Sequence, residues 1–206
     1  MKDNLQRLKI KYIIFITIFF TILYKGAEFY TRTLDYVPSY FMAWEKKIPF
    51  LTIFMLPYMT SAPFFFGTFL TIKDEKKLNF YVKQAIFLTV VSIAIFFIVP
   101  MKFYFPKPEI ANPIFNFFFY VLGQLDSSFN QCPSLHVSFA FLSIAIYCKE
   151  MKTKLKYLIS IWGFLIAISV HFVYQHHFID FVGGFIMFLG EFVLFSMHSH
   201  TGLYLG

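Results

Sequence analysis

The chain has little charge, little cysteine and almost no arginine. Charged residues fill 14 % of its 206 positions, against about 25 % in an average soluble domain. Apolar residues reach 58 % and 32 positions are Phe. One soluble globule of this length cannot hide that much apolar surface. A soluble fold is therefore excluded, and lipid is the natural solvent. The two cysteines, Cys132 and Cys148, flank one short apolar segment. That places them near opposite faces of a membrane, too far apart to bridge, and they read as small buried packing residues. Arg7 and Arg32 are the only arginines, so lysine carries nearly all the positive charge. There is no internal repeat, no low-complexity tract and no second domain, and 1–206 reads as a single transmembrane unit.

The net charge of +7 would suit nucleic acid. Its distribution does not, because the basic residues sit in short segments between apolar runs, the pattern of membrane topology. Six apolar segments stand out, at 12–24, 48–72, 80–99, 135–148, 155–174 and 177–197. A crossing takes about 20 residues at about 1.5 Å each. The second, third, fifth and sixth meet that. The first also has the look of a signal-peptide core behind a basic start. Lys25-Gly26-Ala27-Glu28 is a poor cleavage site, so it reads as a span. The fourth gives only about 21 Å of helix, so its end is recessed or covered by neighbours. The expected fold is all-α, a polytopic bundle of six transmembrane helices. A short helix from 116 to 125 is expected on its outer surface, and Pro57 and Pro63 interrupt the second span.

Eleven basic residues fall on one face: Lys2, Arg7, Lys9 and Lys11, then Lys73, Lys76 and Lys77, then Lys149, Lys152, Lys154 and Lys156. Six fall on the other: Lys25, Arg32, Lys46, Lys47, Lys102 and Lys107. The richer face is expected to be cytoplasmic and to hold both termini. The long segments 25–47 and 100–134 then lie outside, and their Trp and Tyr suit the headgroup layer.

His136 opens the fourth span and His176 the sixth. Two crossings separate them, so they return to the same face. Pro133-Ser134-Leu135-His136 is a helix start, with Ser134 as its N-cap. Unpaired N–H groups there favour an anion beside the imidazole. The plainer alternative is an interfacial histidine at a cap. His176 and Asp180 stand four apart on one helical face. A carboxylate on one ring nitrogen fixes the tautomer and makes the other a better nucleophile. The plainer alternative is a buried structural pair, but a carboxylate one turn into an apolar span is costly and marks function by default. His171 is off that face and reads as packing or support. His177 points elsewhere. No Cys, His and carboxylate cluster has metal-ligand spacing.

Together these motifs resemble the type-2 phosphatidic acid phosphatase superfamily over about residues 80 to 195. Phe129-Asn130-Gln131-Cys132-Pro133-Ser134-Leu135-His136-Val137 looks like its second motif. Ser169 to Asp180, followed by Gly183-Gly184, looks like its third. The style is closest to the branch of inositol phosphorylceramide synthases and related lipid phosphotransferases. The resemblance implies catalysis by His176, His136 and Asp180 on a lipid phosphate or diphosphate, through a phosphohistidine and without metal or cofactor; the alternatives are transfer of a phospho-headgroup to a lipid or glycan hydroxyl and a non-enzymatic membrane scaffold whose histidines are structural. It implies phosphate binding by Lys102, Lys107, Ser134 and Ser169, with Arg32 an open addition. Two departures bear on the phosphate grip. Ser169-Val170 stands where the third motif usually has Ser-Arg, and Lys107-Pro108 where the first usually has Arg-Pro. Lysine cannot fork onto phosphate as arginine does. The resemblance also implies an integral membrane protein, read as lying in a bacterial inner membrane with its site on the periplasmic side.

Overall fold

The computed structural model describes residues 2–200 and, among these, is all-helical apart from one isolated bridge between Met101 and Asn130. Eight α-helices follow one another: α1 Lys2–Arg32, α2 Met55–Met59, α3 Ser61–Thr71, α4 Glu75–Ile98, α5 Pro113–Leu125, α6 Leu135–Glu150, α7 Leu155–Phe172 and α8 Phe178–His200. Five helical stretches are long and apolar enough to cross a membrane: Asp3–Arg32, Thr52–Thr71, Glu75–Ile98, Leu155–Phe172 and Phe178–Phe195. The sixth expected crossing, α6, has 16 residues, about 24 Å at about 1.5 Å per residue. The first apolar run grows to a helix of 31 residues, because neither Gly26 nor the charged turn Lys25–Glu28–Arg32 breaks it. Glu28 takes Lys25 at 2.8 Å and Arg32 at 2.6 Å, on the side chains' i,i+3 and i,i+4 spacing.

The ends of the other helices follow local chemistry. Asp74 caps α4 by accepting the Lys77 N–H at 3.0 Å. Asn112 caps α5 by accepting from Ile114 and Phe115, with Pro113 as its first residue. The second span is split at Thr60, where Pro63 cannot donate to the carbonyl four residues back. Trp162 of α7 covers the break, donating its indole N–H to Thr60 Oγ1 at 2.9 Å.

One apolar core joins α1, α3, α4 and α6 around Phe69, Leu78, Tyr81, Leu88 and Leu142. A second joins α2, α5, α6 and α7 around Met55, Tyr58, Val137 and Val170. Helix α6 is common to both and is the central post. It meets α8 closely at its start. Ser134 donates its N–H to the Asp180 carbonyl at 3.0 Å, and Ser138 Oγ donates to the Gly184 carbonyl at 2.9 Å. A Cβ on Gly184 would run into the Ser134 carbonyl oxygen and lie 2.9 Å from Val137 Cβ. Small residues that let backbones touch are how helices associate in lipid, where burial from water drives little. The contact puts the starts of α6 and α8 side by side, as the parity of the histidines requires.

Candidate active site

Helix α7 ends at a turn made by Tyr174, which adopts φ 53°, left-handed backbone that is strained for a bulky side chain. Tyr174 is held there by its hydroxyl, which donates to the Ile48 carbonyl at 2.9 Å. The turn lets the N–H groups of Gln175 and His176 reach back to the Val170 carbonyl, at 2.9 and 3.2 Å. His171 supports the same turn, its Nδ1 3.1 Å from the His176 carbonyl. His176 is thereby fixed one residue ahead of the α8 entry.

Asp180 performs two tasks at that entry. Its Oδ2 accepts the His177 N–H at 2.8 Å, half of a capping box. The same oxygen lies 3.4 Å from His176 Nδ1, both side chains buried. That is ion-pair range but poorly aligned for a hydrogen bond, and His176 Nδ1 has no bonded partner among the described residues. A small rotation of the ring would close it. The His136 ring stands 6.2 Å from the His176 ring, centroid to centroid, and stacks on Tyr58 at 4.6 Å. Both histidines line one cavity of about 300 Å³.

The cavity has a polar end and a long apolar end. Tyr24, Tyr58, Asp126 and Asn130 stand at the polar end with the two histidines. From there it runs between α1, α3 and α4, past Phe20, Ile16, Phe66, Phe69 and Ala85. Asp126 is the anchor of the polar wall. The hydroxyls of Tyr24 and Tyr58 donate to its two oxygens, and the Ser127 N–H donates at 2.8 Å. Burial works to raise the Asp126 carboxyl, but the charge of nearby His136 and the two hydroxyls outweigh it and hold it below the usual range.

The four residues expected on phosphate are placed differently. Ser134 occupies the N-cap position of α6, yet its hydroxyl does not cap. Ser134 is instead fully buried beside the α8 entry, its N–H bonded to the Asp180 carbonyl and its Oγ unpartnered among the described residues. Ser169 is also buried, and its hydroxyl donates to the Ile166 carbonyl of its own helix at 2.7 Å. Lys102 is exposed, its backbone tied to Pro38 and Ser39. Lys107 is exposed with Nζ 5.9 Å from the Phe119 ring. Neither lysine is among the residues lining the cavity, and nor is Arg32, which is held by Glu28 and lies over Phe129 at 5.1 Å.

Both cysteines are free. They are less buried than expected, Cys148 exposed beside Ser160 and Cys132 half-buried against α8. Burial and the charge of Asp180 push the Cys132 thiol up to about 12, so it stays protonated and inert.

Sequence reasoning missed Asp126, Tyr24, Tyr58 and Glu45. Asp126 carried a local signal, a carboxylate ten residues ahead of His136 in Asp126-Ser127-Ser128-Phe129. The tyrosines and Glu45 carried none, since each arrives from a distant segment. Among known proteins, a family model described as the PAP2 superfamily matches residues 81–202, more than half of the chain. Neither the curated proteins nor the solved structures contain a match.

Proposed function

The chain belongs to the PAP2 superfamily, and from that premise we propose that it is a membrane lipid phosphatase working through a phosphohistidine on His176. The observation that carries this reading is the pair of rings 6.2 Å apart across one cavity, with a carboxylate behind one of them. With Nδ1–H toward Asp180, Nε2 of His176 is the nucleophile. It forms the N–P bond as the P–O bond to the lipid breaks. His136, protonated, gives its proton to the leaving lipid oxygen. It then takes a proton from the water that attacks phosphorus, and the N–P bond breaks to release phosphate. Asp180 orients His176 and balances its charge. Positioning and charge neutralisation supply most of the rate in phosphoryl transfer. The N–H groups of the first turn of α6, where Leu135 and His136 line the cavity, are assigned to the equatorial oxygens, and Lys102 and Lys107 are assigned to the outer rim of the phosphate path.

A six-span topology fits this mechanism, with α6 as a short crossing inside the bundle, α5 lying on the outer surface and both termini cytoplasmic. Lysine counts favour the active site on the extracytoplasmic face, periplasmic in a bacterial inner membrane. The apolar end of the cavity accommodates a lipid chain beside α1.

One observation favours a second reading, in which a lipid or glycan hydroxyl replaces water. The polar wall built by Asp126 shares one cavity with the nucleophile and with aromatic side chains, room for an acceptor or a headgroup. Purified protein incubated with a panel of lipid phosphates and diphosphates, with phosphate release and product mass read together, separates the two. Phosphate release without any acceptor is the expected result. Products that form only when an alcohol is added would replace hydrolysis with transfer.

A further inference from the structure

The donors on the polar wall are already committed. Each tyrosine hydroxyl has one proton, and in Tyr24 and Tyr58 it is given to Asp126. What these groups offer the cavity is lone pairs. Asp126 is an acceptor only, and its lowered titration keeps it so. Asn130 is buried, donates its amide to the Tyr24 carbonyl at 2.9 Å and leaves Oδ1 without a partner among the described residues. The wall thus presents carboxylate, phenol and amide oxygens around aromatic faces. No lysine or arginine lines the cavity. Lys107 is near enough to interact with the Asp126 charge, but it is exposed and outside the wall.

Phosphate is a poor occupant for such a wall, because its oxygens are acceptors too. The phosphate belongs on the His136, His176 and α6 side. A group with several N–H donors and a positive charge fits the other side. An ammonium has three donors and no acceptor, and its charge is favoured by the carboxylate. We infer that Asp126, Tyr24, Tyr58 and Asn130 form a subsite for an ammonium group next to the transferred phosphate, so that the substrate is a 2-aminoalkyl phosphate. The inference rests on the phosphoryl-transfer reading for the position of the phosphate. Two lipid classes carry this unit. One is a phosphoethanolamine diester, with the amine on the headgroup. The other is a long-chain 2-amino alcohol phosphate, with the amine on the lipid.

The test measures binding apart from turnover. Full-length His176→Ala protein in detergent is titrated with two matched pairs, phosphatidylethanolamine against phosphatidylglycerol, and a sphingoid-base phosphate against its N-acetyl form. The expected result is that the amine is bound at least about tenfold more tightly in one pair, and the pair tells which lipid class is used. Adding Asp126→Asn should cut that preference to about threefold or less. If Asp126→Asn does not fold, Tyr24→Phe is used, which frees one carboxylate oxygen for the ammonium and should raise the preference by about threefold. Equal affinity within both pairs overturns the inference, as does a preference left unchanged by Asp126→Asn or, in its place, by Tyr24→Phe. Wild-type turnover distinguishes the two claims: hydrolysis without an amine preference keeps the phosphatase and removes the subsite, whereas an amine preference with no turnover of any lipid removes the phosphatase and keeps the subsite.

Discussion

His176 and His177 are neighbours in sequence and opposites in setting. Both are buried. His177 has each ring nitrogen occupied, Nδ1 at 3.0 Å from Glu45 Oε2 and Nε2 accepting the Tyr104 N–H at 3.1 Å. That fixes its tautomer as Nδ1–H. Its ring is packed between Phe103, at 4.3 Å, and Phe41, at 5.4 Å. Glu45 accepts from Phe178 and Met42 as well, so His177 ties the segment before α2 to the α8 entry. His176 has one nitrogen near Asp180 and the rest of its ring at the cavity. A histidine with all its partners taken is a pillar. One with a carboxylate behind it and a cavity in front has the setting the proposed nucleophile needs. Residue type and burial do not separate the two, but hydrogen-bond accounting does.

Substitutions at the two positions should break the protein in different ways. The largest effect is expected for His176→Ala, a loss of turnover on the order of 10⁴-fold or more, with thermal unfolding in detergent near that of wild type. His177→Ala should do the reverse. It removes a bond to a buried carboxyl, a loss of about 1.5–3 kcal/mol, and should lower the unfolding temperature while the folded fraction keeps most of its specific activity. An inactive but fully stable His177→Ala would erase the distinction. Asp180→Asn comes next. It should slow phosphohistidine formation by about 10²–10⁴-fold, measured by acid-labile label trapped on the protein, with lipid affinity little changed. Wild-type labelling in Asp180→Asn would remove Asp180 from the mechanism.

The smallest effect is a pH dependence. Burial lowers the titration of His177 below its ordinary 6.5, against the opposing pull of Glu45. The unfolded chain then takes up this proton at a higher pH than the folded one. His177 therefore contributes stability above pH 6.5 that declines as pH falls toward its folded titration point. Acid unfolding followed from pH 7 to 5 should shift to lower pH in His177→Gln, which cannot take up the proton. An unchanged profile would mean that His177 titrates alike folded and unfolded, and a shift to higher pH that it is ionised in the fold.

Much of this contrast was legible in the sequence. The i,i+4 spacing paired His176 with Asp180, and the same helical geometry sent His177 away. The apolar runs marked the helices, and the Pro-Ser-Leu-His motif marked the start of α6. Errors gathered where tertiary contact overrides local preference. Ser134 has the residue type of a cap, but it lies fully buried where α8 packs close through Gly184, and its hydroxyl caps nothing. The lysines assigned to phosphate were chosen by spacing, and spacing says nothing of whether a long side chain reaches a cavity.

By itself, the sequence determined an all-helical chain in which two histidines share one end, because helix periodicity and the count of apolar runs are local properties of the chain. Only the tertiary structure decided what faces those histidines. The polar wall draws Tyr24 from α1, Tyr58 from α2 and Asp126 from the end of α5, and Asp126 lies 102 and 68 residues from its two tyrosines. Such partners are selected by how helices pack, and no local pattern encodes that.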